Sequence, residues 1–215
     1  MAVRVALGFK LHTGWAAVVA LAGDPGNCEL LLRRRIELLP PGNSDARFVY
    51  HRAAELSAAQ AQELVQQAKA ASQETARGAL KDMLDDLRSR GLAAAAAGIP
   101  SASKPAPEDL AAILGSHPMI HTAEGILFQR AVAFGCEACG VTVIPVRERE
   151  AWRDAASAWG MTETVLHKQV DGLRKSVGAP WGADQKTAAV MALLALRSSS
   201  TNGPHPATRK RGNPR

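Results

Sequence analysis

Four small groups of residues in this chain could do chemistry. His121-x-x-Glu124 has i, i+3 spacing, which on a helix puts an imidazole and a carboxylate on one face. The pair could begin a metal site, with His51 or His117 adding a ligand, or serve as a general acid and base. The plainer reading has His121 opening its helix and Glu124 making a surface or capping contact. Lys10 and His12 lie at the end of the first apolar run, and Asp184 and Lys186 open the last helical segment. A lysine such as Lys10, or Lys186 at a helix N-terminus, is the residue type that holds an anion such as phosphate. Cys136-x-x-Cys139 reads as half a zinc site, a redox motif or two buried small side chains. The pair has no second pair to complete a zinc site. It also falls at a helix end just before Gly140, whereas redox thiolates favour helix N-termini, so the buried reading is preferred.

Other chemistries are not legible. There is no Walker loop, dinucleotide fingerprint, serine elbow or zincin motif. Three cysteines in 215 residues are too few for a disulfide framework. The net charge is +6, of which the stretch 198–215, with Arg209, Lys210, Arg211 and Arg215 and no acid, supplies +4 and leaves +2 for the rest. A near-neutral body argues against a large nucleic-acid groove, although a basic tail adheres to phosphates without reading sequence. The Arg33-Arg34-Arg35 run alternates faces on a strand and reads as a solvated edge rather than a nucleic-acid patch. Few aromatics are interleaved with basic residues, as base stacking would need. Trp15–Ala22 imitates a secretory signal with its Ala20-Leu21-Ala22 end, but Thr13-Gly14 fits a strand turn, and a cytoplasmic location is expected. No apolar stretch is long enough for a membrane span.

Elements must hold these groups in place. Val3–Phe9 and Trp15–Leu21 are short, Val- and Leu-rich runs joined by a polar link, Lys10–Gly14, and read as two buried strands. Gly23-Asp24-Pro25-Gly26-Asn27 marks a turn. Cys28–Leu38 alternates, with Leu30, Leu32, Ile36 and Leu38 expected on one face and Arg34 as the exception. Ser57 through Gln60 has capping-box spacing and opens a helix that runs to about Arg90. At 1.5 Å per residue it is about 50 Å long, enough to overhang a sheet or pair with a second copy. Leu92–Ile99, set between Gly91 and Pro100, reads as a central strand despite its alanines. Ser101–Pro107 is a flexible link. Short helical segments follow at Glu108–Leu114 and Ile120–Cys139, with Ser116-His117-Pro118 as a break between them. Then come a strand, Val141–Val146, and helices over Arg147–Trp159, Thr162–Val177 and Ala183–Leu196. The expected fold is α/β: a three-stranded antiparallel meander followed by βα units in a mixed sheet with helices on its faces. Residues 1–197 form one domain and 198–215 a disordered basic tail.

This order, with certain stretches, resembles the ribonuclease H-like superfamily and its RuvC-type Holliday-junction resolvase branch. Leu7-Gly8-Phe9-Lys10 followed by Thr13-Gly14-Trp15-Ala16 is similar to that branch's Gly-Ile-Asp-Pro-Gly and Thr-Gly-Trp-Ala. His167-Lys168-Gln169-Val170, a Gly-Pro loop and Asp184-Gln185-Lys186-Thr187-Ala188-Ala189 are similar to its Lys-Glu-Gln-Val and Asp-x-x-Asp-Ala-x-Ala. The resemblance implies a ribonuclease H-like mixed sheet. It also implies two Mg²⁺ ions held by carboxylates from the first strand, the middle strand and the last helix. Here the first-strand position is Lys10, the Leu92–Ile99 strand has no acid, and Thr187 replaces the second acid of the last helix. Asp184 alone matches. The resemblance further implies that Lys10 and Asp184 adjoin, as a salt bridge in place of the metal.

The expected function is therefore that of a RuvC-like binding or scaffolding protein, for nucleic acid held weakly, without the two-metal nuclease site. It is expected to be a homodimer through the long helix. One alternative is a nuclease with rearranged ligands, using Asp184, Glu124 and His121, which would need Mg²⁺. The other is a binder of an anionic small molecule through Lys10, His12 and Lys186. No metal ligand set is assigned.

Overall fold

A computed structural model describes residues 3–23, 27–101 and 108–201. Residues 24–26 of the expected turn, 102–107 of the link and 202–215 of the tail lie outside the described residues, while Gly23 at the turn's start has a positive φ of 93°. Strand β1 (Val3–His12) pairs antiparallel with β2 (Trp15–Ala22), which pairs antiparallel with β3 (Glu29–Glu37). On its other side β1 runs parallel to β4 (Leu92–Pro100), and β4 runs parallel to β5 (Thr142–Val146), giving the sheet order β3-β2-β1-β4-β5. The meander and the βα units of the expected α/β fold are both present.

Three local differences bear on the site. The expected link at Lys10–Gly14 is shorter than its polarity suggests. Pairing continues to His12 opposite Trp15, and Gly14 alone takes a positive φ, 87°, to close the turn. Lys10 and His12 are thus strand residues on one face. The second difference is a bulge. Leu21 faces Leu30 and Ala20 faces Leu32, so Leu31 is the extra residue, and Leu30 joins the opposite core from Leu32 and Ile36. The simple alternation expected for β3 fails at that point. The third is Pro118, which does not break the chain but occupies the first turn of a helix, where its missing N–H is tolerated.

Helices cover both sheet faces. On one side, α1 (Val49–Ala53), α2 (Ala58–Ser89), α3 (Leu110–Leu114) and α4 (His117–Ala138) enclose a core around Leu7, Phe9, Leu80, Met83 and Phe128. The α2 capping box is formed between Ser57 and Gln60. Its buried positions run from Ala61 to Leu87, so its length is used against the sheet, α1 and α4 of the same chain. On the other side lie α5 (Ala151–Ala158), α6 (Glu163–Gly172), α7 (Arg174–Val177) and α8 (Ala183–Thr201). The expected helix over 162–177 is divided near Leu173, and α8 runs to Thr201, into the stretch expected to be disordered.

The α8 contact sets the geometry of the functional edge. A Cβ on Gly8 would overlap the Ala188 carbonyl, and one on Gly98 would overlap the Met191 carbonyl. Two glycines on adjacent strands thus let the helix backbone lie directly on the sheet. Buried Ala188, Ala189, Ala192 and Ala195 keep the approach close. Asp184, one turn before Ala188, is carried past Gly8 towards the C-terminal end of β1.

The arginine run is used internally. Arg33 donates to the backbone carbonyls of Gly178, Ala179 and Pro180, Arg34 reaches Asp86 of α2 at 3.0 Å, and Arg35 reaches Glu37 at 2.7 Å. Cys136 is buried, which raises its thiol pKa above the ordinary value, while Cys139 ends α4. The preferred reading of two buried side chains holds for Cys136, whereas Cys139 is only partly buried.

Candidate functional site

The three parallel strands β1, β4 and β5 end at one edge of the sheet, the usual place for a site in an open α/β fold. Lys10 projects from β1 at that edge and forms an ion pair with Glu148, two residues beyond β5. His12 Nε2 lies 3.1 Å from Asp184 Oδ1. That is an ion-pair distance, but the approach lacks hydrogen-bond alignment, and no other partner among the described residues satisfies this buried nitrogen. The His12 ring stacks on Trp15, with centroids 4.1 Å apart and planes within 7°. Arg35 lies over Trp15 at 4.0 Å, completing a layered arrangement of cation, indole and imidazole. Lys186 turns away to Asp171 at 2.7 Å.

The expected Lys10–Asp184 bridge is thus divided between two pairs. Lys10 takes Glu148, and Asp184 takes His12. Glu148 was missed from the sequence because it lies 138 residues from Lys10. Its position just after the last parallel strand is the one signal that could have pointed to it.

His121 and Glu124 are not part of this edge. They sit on α4, which packs in the core on the sheet face opposite α8. The structure brings them together with His51 of α1 and His117, one helical turn before His121. Glu124 is 3% exposed, and its Oε1 accepts from the His51 ring, with Nδ1 at 2.8 Å. Its Oε2 is 3.9 Å from His121 Nδ1. The surface or capping role expected for Glu124 is therefore replaced by a buried one. The neighbouring Tyr50 phenol has its pKa raised above the ordinary value, first by burial, with Arg130 opposing and Glu124 adding to the shift.

Comparison with known proteins agrees with the strand order. Neither a family model nor a curated protein sequence matches the chain. Among solved structures, T. thermophilus RuvC in complex with a Holliday junction substrate aligns with a TM-score of 0.50 at 14% identity, over 93% of this chain and 96% of that one. A second T. thermophilus RuvC structure aligns with a TM-score of 0.48 at 13% identity, over 92% and 96%. The chain has a RuvC-like α/β fold, at 14% sequence identity to that structure.

Proposed function

We propose that this protein is a RuvC-like nucleic-acid-binding or scaffolding protein that does not hydrolyse phosphodiesters with two metals. The observation that carries the reading is the Lys10–Glu148 ion pair at the strand edge where the resemblance implies a metal-binding aspartate. The donors there do not fit two Mg²⁺ ions. Magnesium needs several hard anionic oxygens held at about 2.1 Å. Here an ammonium occupies the β1 position, β4 offers no carboxylate, and Asp184 is engaged by His12. Among the described residues, no three carboxylates converge at this edge.

The two alternatives have less support. A nuclease built from Asp184, Glu124 and His121 needs them in one cluster, whereas they occupy opposite sheet faces. An anion site built from Lys10, His12 and Lys186 would have to displace Glu148, Asp184 and Asp171. Phosphate contacts then fall to other cations, and the basic run Arg209, Lys210, Arg211 and Arg215 is the densest group in the sequence. The absence of a helix long and apolar enough to cross a membrane, among the described residues, is compatible with this reading. Dimerisation through α2 would have to use its outward, polar face, because its apolar face is covered within the chain.

The test uses the full chain with Mg²⁺ or Mn²⁺ and labelled four-way junction, RNA–DNA hybrid and single-stranded substrates. Fluorescence anisotropy is expected to show salt-sensitive binding, with no cleavage on gels. Deleting residues 202–215 should reduce the salt slope by up to about 3.6, from four phosphate contacts at about 0.9 each. Cleavage that disappears in Asp184→Ala would overturn the proposal.

A further inference from the structure

The cluster of His51, His117 and His121 has no part in the reading above and does not depend on it. The imidazoles come from two elements. His51 lies in α1, and His117 and His121 lie one turn apart in the first two turns of α4. One ligand nitrogen from each lies within 4.8 Å of the other two. Their ring centroids are 4.6, 4.8 and 5.3 Å apart, each pair edge to face. Among the described residues, this is where three potential metal ligands of the His, Cys, Asp and Glu types converge.

We propose that these three histidines bind one divalent transition-metal ion of the zinc class, with Glu124 orienting the His51 ring. The chemistry of the group fits. Zinc takes neutral imidazole nitrogens at about 2.0–2.1 Å in a tetrahedron, which puts ligand nitrogens about 3.3 Å apart. His117 and His121 are exposed at their cluster and have room to rotate the remaining distance. The hydrogen bond from His51 Nδ1 to Glu124 fixes the tautomer and leaves Nε2 as the donor to the metal. A carboxylate behind a ligating imidazole is the usual outer partner in such sites.

The buried carboxylate is the second, independent observation. Glu124 is 3% exposed and has no lysine or arginine in ion-pair contact among the described residues. The imidazoles it faces are those of His51 and His121. A carboxylate placed in a helical core in this way is stabilised by positive charge close by. A metal ion across the His51 ring supplies that charge, and a protonated imidazole is the rival source. The three ligands leave a fourth position open towards solvent. The ion would also tie the five-residue α1 to α4.

The decisive experiment strips the untagged full chain with a chelator and titrates Zn²⁺ against a chromophoric competitor. Co²⁺ is titrated in parallel for its visible ligand-field absorption. One ion per chain is expected, with the intense absorption of low-coordinate Co²⁺ and a rise in Tm on adding metal. His117→Ala and His121→Ala, both at exposed positions, should keep the circular dichroism spectrum and lower Zn²⁺ affinity by more than about 100-fold. Glu124→Gln should lower it about 10- to 100-fold, as loss of an outer partner does. Absence of stoichiometric binding would overturn the proposal, since a protonated imidazole then compensates Glu124. Binding that survives unchanged in the double variant His117→Ala, His121→Ala would also overturn it, because the metal then sits on other groups.

Discussion

The two faces of the sheet treat charge in opposite ways. At the α8 edge, each basic side chain lies against its own carboxylate: Lys10 with Glu148, the His12 imidazole with Asp184, Lys186 with Asp171. These side chains are roughly a fifth to a half exposed, so water shares in their solvation. At the α4 side, one carboxylate is 3% exposed and meets the imidazoles of His51 and His121, with no lysine or arginine in ion-pair contact among the described residues. The first arrangement sets its charged and titratable side chains against one another in pairs. The second retains nitrogen lone pairs and a buried negative charge, the two things that attract a metal. In a fold whose resemblance implies a metal centre at the α8 edge, the chemistry suited to a metal lies on the other side.

The largest expected effect tests what holds the α8 edge in place. Gly98→Ala puts a methyl into the Met191 backbone, and backbone cannot rotate aside as a side chain can. The cost should reach about 3 kcal/mol or more, seen as a lowered urea midpoint or as insoluble protein. If Gly98→Ala is tolerated, α8 is less closely seated than described.

Next in size is Glu124→Ala, which leaves His51 without its partner inside the packed α1–α4 contact. A loss of about 1–3 kcal/mol by chemical denaturation is expected. Lys10→Asp inverts the other region by adding an acid beside Glu148. It should lower stability by about 1–2 kcal/mol at low salt, and Mg²⁺ should recover part of that loss. A Tm indifferent to Mg²⁺ would mean that the acids at this edge do not converge even when Lys10 is removed.

Cys136 tests burial on α4. Its thiol pKa is raised in the folded state by burial, so above the unfolded value of about 8.5 the unfolded chain loses a proton that the folded chain keeps. Stability should then fall with rising pH, by up to about 1.4 kcal/mol per unit. Thermal melts between neutral and alkaline pH should show this slope in the wild type and a shallower one in Cys136→Ala. The smallest effect belongs to Glu148→Ala. The Lys10–Glu148 pair is 22% and 38% exposed, and such pairs contribute about 0.2–1 kcal/mol. The ratio of the Glu124 and Glu148 losses measures the contrast between the two faces.

Much of the fold was legible because its signals are local. The capping box at Ser57, the apolar period of α2, the alternation along β3 and the glycines around the alanine strand all act within a few residues. The misreadings also have local causes. Ser116-His117-Pro118 was read as a break because proline ends helices from within, but proline is equally at home in a first turn. That choice decided whether His117 and His121 shared a helix face. Leu30 was placed by simple alternation, which a single bulge reverses. The segment holding α1 carries too short an apolar pattern to declare a helix, so the sequence offers His51 as a further ligand without fixing where it sits.

By itself the sequence determined most of the elements and their order, since these are properties of residue type and near-neighbour spacing. Only the tertiary structure decided who meets whom. Glu148 reaches Lys10 across 138 residues, and Glu124 reaches His51 across 73. Such pairings depend on which sheet face a helix covers and how closely it approaches. Here that was settled by two glycines under α8 and by the packing of α2 and α4, and no local pattern encodes the result.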